Sequence, residues 1–116
     1  MENKYKFIVT KEIKEEVNVE VEYGIHYYKF NQDYYRIDIQ QHKKAKTPVV
    51  DIIKVMYDKG LDTKIMYTEA EFSVPYRFSM FLAGEGCGNI ITRDEFLQQF
   101  NAAVGNINEG LSKEVA

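Results

Sequence analysis

A single cysteine (Cys87), two prolines, three arginines and no tryptophan mark what this chain of 116 residues has little of. One cysteine cannot close an internal disulfide, nor supply a cysteine-based metal set within one chain, so a reducing compartment is the natural expectation. No apolar run approaches the length needed to span a membrane, and Met1 to Lys6 lacks the apolar core of a signal peptide. A cytosolic protein without membrane contact is therefore expected. Charges of both signs nearly cancel, with a formal net of −3. That balance disfavours sequence-independent nucleic-acid binding and is too small for a nucleic-acid mimic. Arg36, Arg77 and Arg93 are the only arginines among fifteen basic residues. With many Ile, Asn and Tyr, that bias matches AT-rich coding and suggests a low-GC bacterium or one of its phages.

The chemistry-bearing constellations are thin. His26 and His42 are too far apart, and too isolated, to read as a metal pair, and Asp58, Asp62 and Glu69 do not compose a calcium loop. No Ser sits in a nucleophile elbow. Gly84-Glu85-Gly86-Cys87-Gly88-Asn89 resembles a ligand loop, with Gly84, Gly86, Cys87 and Gly88 as its candidate residues. It nevertheless matches neither the dinucleotide fingerprint nor the P-loop, because no Lys follows and two isoleucines separate it from the next helix. Glu85 would repel a phosphate, so a connection needing unusual backbone angles is the plainer reading. Cys87 would need an imidazole beside it to act as a nucleophile. No metal, no cofactor and no enzymatic activity are expected; a cysteine-dependent enzyme is the weaker alternative.

What the chain has is pattern. Glu16 to Tyr23 alternates polar and apolar without a break, the signature of a strand with one face buried and one wet. Lys4 to Thr10 reads as a strand before it, joined through Lys11 to Glu15. Tyr23-Gly24 suits a tight hairpin into a third strand. A turn at Asn31 to Tyr34 then leads to a fourth, pairing Phe30 with Tyr35, Tyr28 with Ile37 and His26 with Ile39. This register turns Val17, Val19, Val21, Tyr28, Phe30, Tyr35, Ile37 and Ile39 to one face. Lys43, Lys44 and Lys46 fall in a polar linker. Thr47-Pro48 has the form of a helix start, followed by Val49, Val50, Ile52, Ile53, Met56 and Tyr57 at helical spacing and Gly60 as a cap. Ile65 to Val74 reads as extended, and Tyr76 to Leu82 as a short helix. Thr92 and Glu95 have capping-box spacing before the stripe Phe96, Leu97, Phe100, Val104, Ile107 and Leu111.

The expected architecture is a single α+β domain over 1–116, with 112–116 a frayed tail. An antiparallel meander carries two main helices on one face as a two-layer sandwich. The outer face would then gather Glu20, Tyr27, Lys29, Tyr34, Arg36 and Asp38, tyrosines among mixed charges, a composition enriched at binding hot spots. These six are the candidate partner-binding residues. The function expected is that of a small non-enzymatic cytosolic binding protein or inhibitor that occludes a protein partner. Phage-encoded anti-defence proteins and toxin-neutralising immunity proteins are of this type. The alternative is a module that captures a small nucleotide-like anion with Lys29, Arg36 and the glycine loop. A homodimer through the last helix is compatible with its stripe.

Overall fold

The computed structural model describes residues 3–58, 63–86 and 88–113. The chain is α+β. Strands β1 (Lys4–Thr10) and β2 (Glu16–Glu22) form a separate antiparallel hairpin. β3 (Gly24–Phe30), β4 (Asp33–Gln40), β5 (Val49–Asp58) and β6 (Thr63–Glu71) run as an antiparallel meander, and β7 (Asn89–Ile90) adds a short edge, giving the order β6-β5-β4-β3-β7. Helix α1 (Tyr76–Leu82) precedes β7, and α2 (Arg93–Ser112) closes the described chain. Gly60, Cys87 and the tail beyond 113 lie outside the described residues, as do Leu61 and Asp62.

The segment 49–58, expected as a helix, is the strand β5. Val49, Val50, Ile52, Ile53 and Val55 are β-branched, stiff at χ1 and at home on a pleated surface. Val50 and Ile52 are buried on one face of the sheet, while Val55 on the other is only 1% exposed. A strand covered on both sides loses its alternation and reads as a near-continuous apolar run, which mimics helical spacing. Pro48 is fully buried immediately before the strand, a place where its missing N–H breaks no ladder bond.

Two pairings also differ from expectation. Tyr23-Gly24 does not close a hairpin: β2 pairs back with β1, Phe7 facing Val19, and Gly24 at φ 115 bends the chain into the second sheet. Such a φ is strained for residues with a side chain. Between β3 and β4 the register is Tyr28 with Tyr35, Tyr27 with Arg36 and His26 with Ile37. Asn31 adopts φ 55, so a two-residue connection replaces the expected four-residue turn. The shift is by two residues, so every side chain keeps its face.

The five-stranded sheet is covered on both sides. On one, Tyr28, Tyr35, Ile37, Ile39, Val50 and Ile52 pack with Val21 of the hairpin and with Phe78 of α1. Tyr28 stacks on Tyr35 at 4.5 Å between ring centroids and meets Phe78 at 4.7 Å. Val9 and Val19 close over Met80 and Ala83, so α1 is held beneath the hairpin. On the opposite side, Phe96 and Ala103 of α2 pack on Val55, with Tyr27, Tyr34, Ile53 and Met66 around them. The two helices thus occupy opposite faces of the sheet, because adjacent residues such as Tyr27 and Tyr28 point to opposite sides and both are apolar enough to need cover. The α2 capping box forms as expected, Glu95 N–H donating to Thr92 Oγ1 at 3.1 Å and Thr92 N–H to Glu95 Oε1 at 3.2 Å.

The apolar stripe of α2 is buried only in part. Phe96 is 1% exposed, whereas Ile107 and Leu111 are 44% and 56% exposed where the last turns emerge. Phe96→Ala should cost about 3–5 kcal/mol in denaturant unfolding. Leu111→Ala should change stability by under about 0.5 kcal/mol.

Among the described residues, the buried Tyr28 hydroxyl has no hydrogen-bond partner. Burial pushes its phenol well above the usual tyrosine value, the neighbouring Tyr35 adding to the effect. The unfolded chain releases that proton near pH 10, while the fold retains it. The fold then binds more protons, so stability falls as pH rises past about 10. Tyr28→Phe removes both the orphaned hydroxyl and this titration. Chemical unfolding at neutral pH should show stability unchanged or raised by about 1 kcal/mol. The alkaline loss should be smaller in the variant.

Candidate functional site

The expected outer surface is divided by the fold. Glu20 lies on the hairpin, where Lys4 and Lys6 approach its carboxylate at 3.8 and 3.7 Å. Tyr27, Lys29, Tyr34, Arg36 and Asp38 do share a face of the five-stranded sheet, as expected, but α2 roofs part of it. Tyr27 is engaged by Phe96 at 5.5 Å between ring centroids. The expected pairing of Phe30 with Tyr35 would set Lys29 opposite the like-charged Arg36, but in the observed register Lys29 faces Tyr34. Its ammonium sits 5.2 Å from that ring's centroid, a cation–π contact instead of a repulsion. Asp38 faces Asp51 on β5, and Gln40 bridges the two carboxylates, its Nε2 donating to Asp38 Oδ2 at 2.9 Å and to Asp51 Oδ2 at 2.8 Å.

Arg36 and Tyr27 open onto a cavity of ≈ 320 Å³ between the sheet and the first turns of α2, together with Ile25, Ile53, Arg93 and Phe96. Arg93 was legible only as part of the capping segment; its convergence with Arg36 across 57 positions of sequence is made by α2 crossing the sheet. Among the described residues neither guanidinium has an ion pair or hydrogen bond. Arg36 is half-buried nonetheless. Two of the chain's three arginines, Arg36 half-buried and Arg93 exposed, therefore border one cavity with an aromatic and aliphatic floor. Guanidinium forks recognise carboxylate and phosphate in a bidentate manner, and they do so more strongly where water is thinned. This patch can hold an anion carried on an apolar stem.

The glycine loop is elsewhere. Gly84 N–H donates to Phe81 O at 3.1 Å and Glu85 N–H to Met80 O at 2.9 Å, so these amides close the C-terminus of α1. Gly84 and Gly86 take φ of 88 and 94, and Gly88 backs onto Phe81, where a Cβ would stand 3.1 Å from the ring. The unusual backbone angles read from the glycines are present in a connection. A cavity of ≈ 410 Å³ beside it is lined by Glu12, Phe30, Arg77, Met80 and Glu85, with Arg77 stacked 4.4 Å from the Phe30 ring centroid. Lys29 borders a third cavity, of ≈ 290 Å³, with Lys64 and Gln99. Lys29, Arg36 and the loop thus face three separate cavities and do not form one anion site.

Both histidines are occupied locally. His26 Nε2 lies 2.6 Å from the Glu22 carbonyl, and His42 Nδ1 accepts from Lys44 N–H at 3.2 Å. Among the described residues, no three His, Cys, Asp or Glu side chains converge to hold a metal, and no helix is long and apolar enough to cross a membrane.

A half-buried guanidinium without a partner contributes little to the fold beyond the packing of its stem. Arg36→Met should therefore leave the melting temperature equal to that of the unsubstituted protein or raise it. A fall of several degrees would show that Arg36 serves the fold. No protein-family model, curated protein or solved structure matches this chain.

Proposed function

We propose that the protein is a non-enzymatic binding protein that occludes a protein partner by docking an acidic group of that partner between Arg36 and Arg93. The observation that carries this reading is the pair of uncompensated guanidiniums over the apolar floor of Tyr27, Ile53 and Phe96. Arginine and tyrosine, with tryptophan, are the residues enriched where protein interfaces concentrate their binding energy. A partner's Asp, Glu or terminal carboxylate on an apolar stem would satisfy both forks while its stem covers the half-exposed Ile25. The occlusion mode, the cytosolic setting and the kinship in type with phage-encoded inhibitors or immunity proteins belong to the same proposal. Its support is the small net charge and the mixed guanidinium and aromatic lining of the patch.

One feature favours a second reading, a module for a small anion: ≈ 320 Å³ falls at the lower end of small-ligand pockets. In that case an aromatic carboxylate added alone should raise the melting temperature, and Arg36→Ala should abolish the rise.

The test of the main reading is affinity capture from the native host with the tagged protein and its Arg36→Ala/Arg93→Ala variant side by side. A partner retained by the former should be lost by the variant at unchanged circular dichroism. For the purified pair, affinity should drop at least about thirtyfold, the scale of a hot-spot truncation. Equal recovery of the same proteins by both would overturn the proposal.

A further inference from the structure

We propose that β1 is a self-association edge: two copies of the chain pair β1 against β1, antiparallel, about a two-fold axis at Phe7. The surface is distinct from the Arg36–Arg93 patch. The phase of the hairpin ladder sets which groups are available. Tyr23 N–H donates to Asn3 O and Lys11 N–H to Glu15 O, each at 2.8 Å, at the two ends of one register. In an antiparallel pair those are the bonded positions, so odd-numbered residues of β1 turn their peptide groups toward β2. Ile8 and Thr10 then present N–H and C=O on the opposite edge. Among the described residues, no backbone bond from outside the hairpin reaches them there.

The groove along this edge is apolar, ≈ 370 Å³, and is lined by Tyr5, Phe7, Val9, Val74 and Tyr76 among others. Ile8 and Tyr76 are 61% and 70% exposed. An axis at Phe7 makes the edge complementary to itself over all seven residues of β1. It sets Tyr5 opposite Val9 and Phe7 opposite Phe7 on the side facing the groove. On the wet side, Ile8 meets Lys6 and Thr10 meets Lys4, and no ammonium stands directly opposite another. An axis at residue 6 would place Lys6 against itself, a destabilising like-charge pair. An axis at residue 8 would shorten the ladder. Lysines on an edge commonly deter such pairing; here Lys4 and Lys6 already lean on Glu20 of their own hairpin.

A two-stranded hairpin is marginal by itself, and pairing would make it a four-stranded sheet.

Sedimentation velocity on the whole chain, from low micromolar to millimolar, tests this. The mass should double with concentration. Ile8→Pro removes an outward N–H that β2 does not use, so fold and melting temperature should persist while the protein stays monomeric. If Ile8→Pro does not fold, Ile8→Lys carries the test, since it sets two ammoniums opposite each other across the axis. Amide exchange should slow at Ile8 and Thr10 with rising concentration and not at Ile25. Arg36→Ala/Arg93→Ala should dimerise like the unsubstituted chain, which separates this result from that of partner capture. A chain monomeric at millimolar concentration, or a dimer that survives both substitutions at Ile8, overturns the proposal.

Discussion

Cover on both faces of the central strands is the constraint from which the rest of this structure follows. β4 and β5 place apolar side chains on each side: Ile37, Ile39, Val50 and Ile52 on one, Tyr34, Ile53 and Val55 on the other. Neither face can be left to water, since each fully buried aliphatic contributes about 1.5–3 kcal/mol. With only two helices available, one must go to each side, and α1 is too short to roof its face alone. The β1–β2 hairpin completes that cover with Tyr5, Phe7 and Val21. The architecture is thus hairpin, short helix, sheet and long helix, and the molecule is drawn out, with a radius of gyration of 16.5 Å against roughly 13 Å for a compact chain of this length.

That same requirement builds the candidate site. Because α2 must cross the sheet to cover Val55 and Tyr27, its first turn carries Arg93 to the cavity that Arg36 borders. The remaining polar groups of this face are satisfied among themselves. Gln40 relieves the facing Asp38 and Asp51, and Tyr34 takes the Lys29 ammonium. Among the described residues the Arg36 and Arg93 side chains have neither an ion pair, a hydrogen bond nor a cation–π contact, which distinguishes them from Lys29, Asp38 and Asp51.

Several elements were legible from residues alone, for local reasons. The alternation of β2 predicts inward valines, and Val19 and Val21 are buried. The Thr92–Glu95 spacing predicts a helix start, and the capping box forms. Tyr76 to Leu82 is the helix its pattern suggests. The misread segment was 47–60, because periodicity cannot separate a doubly buried strand from a helix. Lys11 to Glu15 is the connection its residues suggest and closes the β1–β2 hairpin with Lys14 at φ 59, whereas the hairpin expected at Tyr23-Gly24 does not form. Arg93 had no sequence signal beyond arginine's rarity.

The amino-acid order by itself determined that the first four strands are extended, where the long helix begins, and which side chains of those strands share a face. Those properties rest on alternation, capping and steric preference, which act over a few residues and need no distant partner. Only the tertiary structure decided that β2 pairs with β1 and not β3, that the helices take opposite faces, and that Arg36 and Arg93 border one cavity. These choices depend on contacts between residues far apart in sequence, whose gain is the joint burial of several elements and is therefore invisible in any one of them.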